Sequence, residues 1–433
     1  MMHRLENAWI ALRSSLWFLP SLIVVGAVAV AIALIEVDTK LDHREILSQW
    51  PRLFGAGAEG TRGMLSAIGS AMITVAGVVF SITIVALSLA SSQYTPRMLR
   101  NFMRDRSNQV VLGTFVGIYA YCLVVLRTIR GGDEGAFVPS LAALGAILLA
   151  FAGIALLIHF IHHISSAIQV GRILAAIAQE TSAAIERTLP ERLTPDDDDR
   201  PEDVPASERL AAVAATRTGY VQNVGAEVLV RCACRLDAVV RLPHCIGDFI
   251  VEGEPVVTID GDRPLDDEVT ATLRRAVSVG DQRTVEQDVA FGLRQIVDIA
   301  LKALSPGVND PTTATMCLDY LSALLVDLAT RRFPGRRHDE EGRLRVVVEA
   351  PTFASMLALA VEEIRLAARD QPVVLRKLIG VLERVAGATR SPARRRALRT
   401  QLAWIGNAAA EVDDAQFRAL LAAEFAHAQA RLG

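Results

Sequence analysis

Apolar residues in the first 163 positions gather into four long segments, Leu16–Ile35, Met64–Ala90, Val110–Leu126 and Val138–Ile161. No carboxylate falls inside any of them. A helix needs about 20 such residues to cross the hydrocarbon of a bilayer. The pattern therefore predicts four membrane spans, the third being the shortest.

The pattern then changes. Ser165–Leu189 carries Ile168, Ile173, Ile177, Ala184 and Ile185 at helical spacing, which predicts a helix continuing the fourth span. Pro190 opens a linker that ends near Pro205 and holds the acidic run Asp196–Asp199. Thr218–Asp260 shifts to short β-rich runs cut by Gly219, Gly225, Gly247 and Gly253, with Ala226–Cys232 read as one of the strands. The stretch 247–255 reads as strand, turn, strand, like the turns of biotinyl- and lipoyl-type barrels, but without their modified lysine. From Asp281 the apolar spacing is mostly helical, with one strand at Arg343–Glu349. Helices are expected near Thr352–Arg369, Val373–Ala388, Pro392–Ala410 and Asp414–Arg431, and the basic run Arg394–Arg396 reads as a solvated helix face.

The fold class expected is therefore a membrane α-helical domain of four transmembrane helices plus a cytoplasmic α+β region. That region holds a small β-barrel-like unit and a helical C-terminal part. The expected boundaries are 1–163 for the membrane domain, 164–205 for the connecting helix and acidic linker, 206–280 for the β-rich domain and 281–433 for the helical domain.

Composition agrees with a hybrid. Hydrophobic residues make up 52% of the 433, high for a soluble chain and low for one wholly in the membrane. Residues 1–163 carry 12 Lys+Arg against 9 Asp+Glu; the remainder is net acidic, so no basic domain points to nucleic acid. Five cysteines without framework spacing argue against disulfide stapling. Cys232 and Cys234, read on one strand face, are expected as buried thiols; with His244 and Cys245 they make poor zinc geometry. Basic residues gather before the first span, between spans two and three and after span four. That places both termini in the cytoplasm of a bacterial inner membrane.

The second span carries the candidate chemistry. Ser66, Ser70, Thr74, Gly77, Ser81, Ser88 and Ser92 recur close to the helical period, so small and hydroxyl side chains share one stripe. Ile84 and Val85 fill its one long gap. Such a stripe serves close helix packing, or lines a wet path with an apolar ring that gates by dewetting. No titrating residue sits at mid-membrane, which fits a passive pore or an anchor better than a coupled carrier.

Three further groups stand out. Arg97, Arg100 and Arg104 share one face after Pro96, suited to topology determination or to lipid or anion contact. His159, His162 and His163 close the fourth span, as an interfacial cluster or a pH-sensing collar. Asp310 and Pro311 are a natural N-cap and first helical residue, so Ser305, Asn309, Asp310 and Thr312 mark a helix corner or a ligand or subunit contact. No nucleophile elbow, HExxH or dinucleotide loop occurs. No enzyme activity, metal or cofactor is expected.

Three stretches carry a resemblance. They are Phe80–Thr83 through Ser91–Leu99, His159–Ile164, and Gln287-Asp288, Phe291-Gly292 with Ala303–Ala314. In them the chain resembles bacterial inner-membrane proteins catalogued as a domain of unknown function. The resemblance implies four spans followed by a cytoplasmic region and brings no catalytic residues. The function expected is a homo-oligomeric channel, lined by the second span and gated by the cytoplasmic domain. The alternative is a membrane scaffold or sensor whose cytoplasmic domain binds a protein or small ligand. The partners expected are the lipid bilayer, further copies of the chain, and a small ligand or ion.

Overall fold

A computed structural model describes residues 17–40, 57–93, 106–130, 137–167, 169–193, 210–261, 265–333, 336–338, 341–349 and 351–432. The chain divides into two compact units, 1–169 and 170–433.

Among the described residues the first unit holds four helices long and apolar enough to cross a membrane: α1 (Phe18–Lys40), α2 (Ala58–Gln93), α3 (Arg106–Thr128) and α4 (Ser140–Ala167). They are arranged around α3, which packs against the other three, while α1 and α2 share no extensive contact. Half of the α3 span is buried within the chain, against a small fraction of α1. The close approach of α1 and α3 has a simple cause. A Cβ at Gly113 would lie 2.8 Å from Pro20 Cα, and one at Gly117 would lie 3.3 Å from Ala27 Cβ. Gly113 and Gly117 thus form the small-xxx-small seam that lets membrane helices touch backbone to backbone.

Both ends of the α3–α4 connection are held by complementary charge. Arg62 Nη2 donates to the Ile129 carbonyl just past α3 at 2.8 Å. Asp38 accepts from Leu141 N at 3.1 Å and Ala142 N at 3.0 Å in the first turn of α4. A cation at a helix C-terminus and a carboxylate at an N-terminus each oppose the local dipole. The pattern of the sequence placed Asp38 in the loop after the first span. It lies inside α1 instead, buried, because that helix runs on to Lys40.

The second unit begins with α5 (Val170–Thr188), which buries Leu174, Ile177, Thr181, Ala184 and Ile185 along one stripe. It is an element separate from α4. Past its end, Leu193 N donates to Thr330 O and Arg332 N to Glu191 O, so the start of the linker is pinned. The rest of the linker, including Asp196–Asp199, lies outside the described residues.

Among the described residues eight strands follow: β1 (Leu210–Ala214), β2 (Gly219–Val224), β3 (Val240–Leu242), β4 (Phe249–Ile250), β5 (Pro255–Asp260), β6 (Val277–Gly280), β7 (Arg336–His338) and β8 (Leu344–Val348). They form two open sheets of order β1-β5-β3-β8-β7 and β4-β2-β6. Among the described residues there is no closed barrel. The 247–255 stretch is indeed strand, turn, strand, with Gly253 at φ +93°. Its strands nonetheless part company: β4 pairs with β2, while β5 pairs with β1 and β3. β8 comes from the helical part of the sequence and pairs in parallel with β3, Val240 opposite Val346.

The run Ala226–Cys232, read as a strand, is helix α6 (Ala226–Leu236). Leu229, Cys232 and Ala233 are its buried face, at helical spacing, packed under the sheet. Val228 and Val230 carry strand propensity, but burial of that face decides the outcome. Asp237 ends the helix in the left-handed conformation at φ 46°. Consequently Cys232 is buried and Cys234 exposed; they share no face.

The remaining helices are α7 (Asp267–Ala276), α8 (Val289–Ala303), α9 (Pro311–Leu328), α10 (Phe353–Ala367), α11 (Pro372–Ala388), α12 (Pro392–Ala410) and α13 (Ala415–Leu432). Their starts follow their caps: Asp288, Asp310, Thr352 and Ser391 each accept a backbone N–H of the first turn. One basic residue departs from expectation. Arg394 is buried, not solvated. It donates to Leu328 O at 3.1 Å, at the end of α9, and to Arg331 O at 2.7 Å, just past it, and lies over the rings of Phe333 and Phe353. Those carbonyls and aromatic faces supply what water would.

Candidate functional site

The hydroxyl stripe of α2 lies on its exposed side. Ser66, Ser70, Thr74, Gly77, Ser81 and Ser88 are all exposed, whereas Thr61, Leu65, Gly69, Met72, Ala76, Val79 and Ala86 are buried against the rest of the unit. The stripe therefore does not pack the four helices of one chain together. Thr74 Oγ1 donates to Ser70 O at 2.8 Å within the helix. The hydroxyls of Ser66, Ser70, Ser81 and Ser88 find no partner among the described residues. Ile84 and Val85 are 48% and 55% exposed on the same side. Ser92 lies in the last turn of α2; its side chain is outside the description.

Arg97, Arg100 and Arg104 lie outside the described residues. His159 and His162 are exposed near the end of α4 and His163 is half-buried. The rings of His159 and His163 lie nearly parallel, with centroids 6.1 Å apart. Among the described residues, no three His, Cys, Asp or Glu side chains are grouped to hold a metal ion.

The corner between α8 and α9 is held by several of its own bonds. Ser305 Oγ donates to Lys302 O at 2.6 Å, and Thr315 Oγ1 donates to Thr312 O at 2.8 Å. Asp310 accepts from Thr313 N at 3.0 Å and Thr313 Oγ1 at 2.6 Å. These bonds hold its carboxyl below the usual aspartate range, the Thr313 side chain contributing most. Asn309 takes the left-handed conformation at φ 47°, and its Oδ1 accepts from Gln371 Nε2 at 2.8 Å. That bond joins this corner to the one before α11. The residues that make the motif distinctive thus build a double corner, with Val308 and Val373 left exposed beside it.

A cleft of about 870 Å³ opens elsewhere in the second unit. It is framed by the end of α5, the starts of α6 and α8 and the end of β8. Gln287 Oε1 accepts from Val224 N at 3.0 Å, joining two of these walls. Asp288 is closed by Arg283 at 2.8 and 3.0 Å. Close by, Cys245 Sγ donates to Glu349 O at 2.8 Å. Burial, then the nearby Asp248, Glu349 and Asp288, push its thiol up to about 11. No local pattern signals this cleft, because its walls come from several distant stretches between residues 187 and 356.

Two other features had a readable signal. Gly113 and Gly117 are a GxxxG in an apolar segment. The Phe291-Gly292 pair marks the crossing of α5 and α8, where a Cβ at Gly292 would lie 2.1 Å from Thr181 Oγ1.

Comparison with known proteins adds a family. The model of a family described as predicted membrane protein (DUF2254) matches residues 13–384. Uncharacterized proteins of Mycobacterium tuberculosis (Rv1290c) and Mycobacterium bovis (Mb1321c) are each 38% identical over 358 residues, covering 80% of this chain and 68% of theirs. No solved structure matches the chain.

Proposed function

The chain belongs to the DUF2254 family of predicted membrane proteins, and from that premise we propose that it is a non-enzymatic, homo-oligomeric channel-like protein. The observation that carries this reading is the exposed stripe of α2. Four serine hydroxyls without a partner among the described residues gain nothing from lipid tails, whereas water or a neighbouring helix supplies partners. The α3-centred arrangement fills its own middle, so a path requires several copies closed by symmetry. α2 would then line it, with Ile84 and Val85 as the apolar constriction. The second unit would lie in the cytoplasm, as the distribution of basic residues favours. The membrane would be the bacterial inner one, and the second unit would control opening.

Native mass spectrometry of the particle in nanodiscs, followed by flux into proteoliposomes, tests this. A closed oligomer whose Val85→Ser variant leaks supports the channel. A monomer, or an oligomer in which Val85→Ser changes nothing, overturns it.

A second reading is a sensor whose soluble part binds a small ligand. The cleft of the second unit favours it. Under that reading Ser81, exposed on α2, faces lipid, and Ser81→Leu leaves both stability and ligand binding unchanged.

A further inference from the structure

We propose that the cleft framed by α5, α6, α8 and β8 binds a small organic cation with an apolar body. This deepens the sensor reading and depends on neither oligomerisation nor flux.

Size comes first. A volume of about 870 Å³ falls within the ~300–1,000 Å³ usual for small-molecule sites. Leu189, Ile246, Phe333, Val348 and Met356 give it apolar wall. Such walls suit a ring or chain rather than a bare ion.

Charge then decides the class. Among the described residues the lining holds one cation, Arg187, whose Nη2 donates to the Glu286 carbonyl at 3.1 Å. Against it stand Glu227, Glu286, Asp288 and Glu349. Asp288 is spoken for by Arg283, and Glu227 lies 4.0 Å from Arg231. The carboxylates of Glu286 and Glu349 are exposed and make no ion pair among the described residues. They come from two separate stretches of the lining, one just before α8 and one just after β8, with apolar wall among the residues around them. Neighbouring groups register the same negative field. Glu180 is held above the usual carboxyl range by burial and then by Glu286, with Arg187 acting against them. Glu349 is among the charges that raise Cys245. The starts of α6 and α8 favour an anion, but Asp288 already caps α8, and an anion would face both free carboxylates.

The test compares two probes that share a ring and differ in charge, tryptamine and indole-3-acetate. Each is titrated into the full chain in nanodiscs by calorimetry, with empty nanodiscs as the blank. The expected result is saturable binding of tryptamine, a rise in unfolding temperature and weakening by salt. The double variant Glu286→Gln, Glu349→Gln should lose about tenfold in affinity, as two partly shielded ion pairs would. Both residues are exposed, so its unliganded melting temperature should match the parent and exclude misfolding. No saturable tryptamine binding overturns the proposal, as does equal binding by the double variant. A preference for indole-3-acetate overturns the cationic class and points to Arg187 and the helix starts instead.

Discussion

Asp38, near the end of α1, accepts a 3.0 Å hydrogen bond from the backbone N–H of Ala142 in the first turn of α4, 104 residues away. Tyr121 of α3 donates to the carbonyl of the same Ala142 at 2.7 Å. One peptide position is thus held by side chains from two other helices. Asp38 also bonds Leu141 N, so it does for α4 what an N-cap residue usually does from within its own chain segment. The cap is supplied by tertiary structure. Asp38→Ala should lower stability by about 1–2 kcal/mol, the usual cost of a lost cap, and Asp38→Asn by less. Denaturant titration in mixed micelles followed by circular dichroism measures both; an unchanged midpoint for Asp38→Ala would refute the role.

Gly292 and Thr181 mark the crossing of α5 and α8. A methyl group at 292 would overlap the Thr181 side chain, with all three of its nearest approaches under 3 Å. Gly292→Ala should destabilise by about 1–3 kcal/mol through overpacking. Thr181 spends its hydroxyl on Ile177 O of its own helix. Adding Thr181→Ala should therefore restore much of the loss, and a double-mutant cycle reads the coupling.

Arg394 tests the helical part. Arg394→Ala leaves the Leu328 carbonyl at the end of α9 and the Arg331 carbonyl just past it without their buried partner. A loss of about 2–4 kcal/mol is expected from hydrogen bonds to a charged group and lost packing. Arg394→Lys should recover only part, because an ammonium cannot span both acceptors and lie flat on Phe333 and Phe353. Arg396 is exposed, so Arg396→Ala should stay within about 0.5 kcal/mol. Thermal melts of the three variants separate these outcomes.

Asp310 gives the α8–α9 corner a pH dependence of known sign. Its carboxyl is held below its ordinary value by bonds from Thr313. The stabilisation is present above the unfolded-state value, about 3.9, and is lost as pH falls through the folded one. Melting temperature should therefore drop below about pH 4, and Thr313→Val should flatten that drop. An acid limb identical in the variant would show that other carboxyls set it.

Cys245 and Cys234 should differ in reactivity. With its thiol raised to about 11, Cys245 offers little thiolate at neutral pH, and Cys234 is exposed. Iodoacetamide at pH 8 should label Cys234 well before Cys245, as peptide mass spectrometry would show. The reverse order would contradict the position of Cys245 beneath Glu349.

By itself the sequence determined the four long apolar helices, the cap at Asp310 and the helices beyond residue 280. These rest on segment length, on local capping chemistry and on periodicity, which neighbouring residues define among themselves. It also determined that the hydroxyls of α2 share one side. Tertiary structure alone decided which way that side faces, because a stripe has the same spacing whether it meets a helix, lipid or water. It also decided that Ala226–Leu236 is a helix, since a short apolar run takes its form from the surface it covers. β8 pairs with β3, Asp38 caps α4 and Arg394 is buried for a related reason. Each satisfies a backbone or a charge with a partner scores of residues away, and no local pattern records that partner.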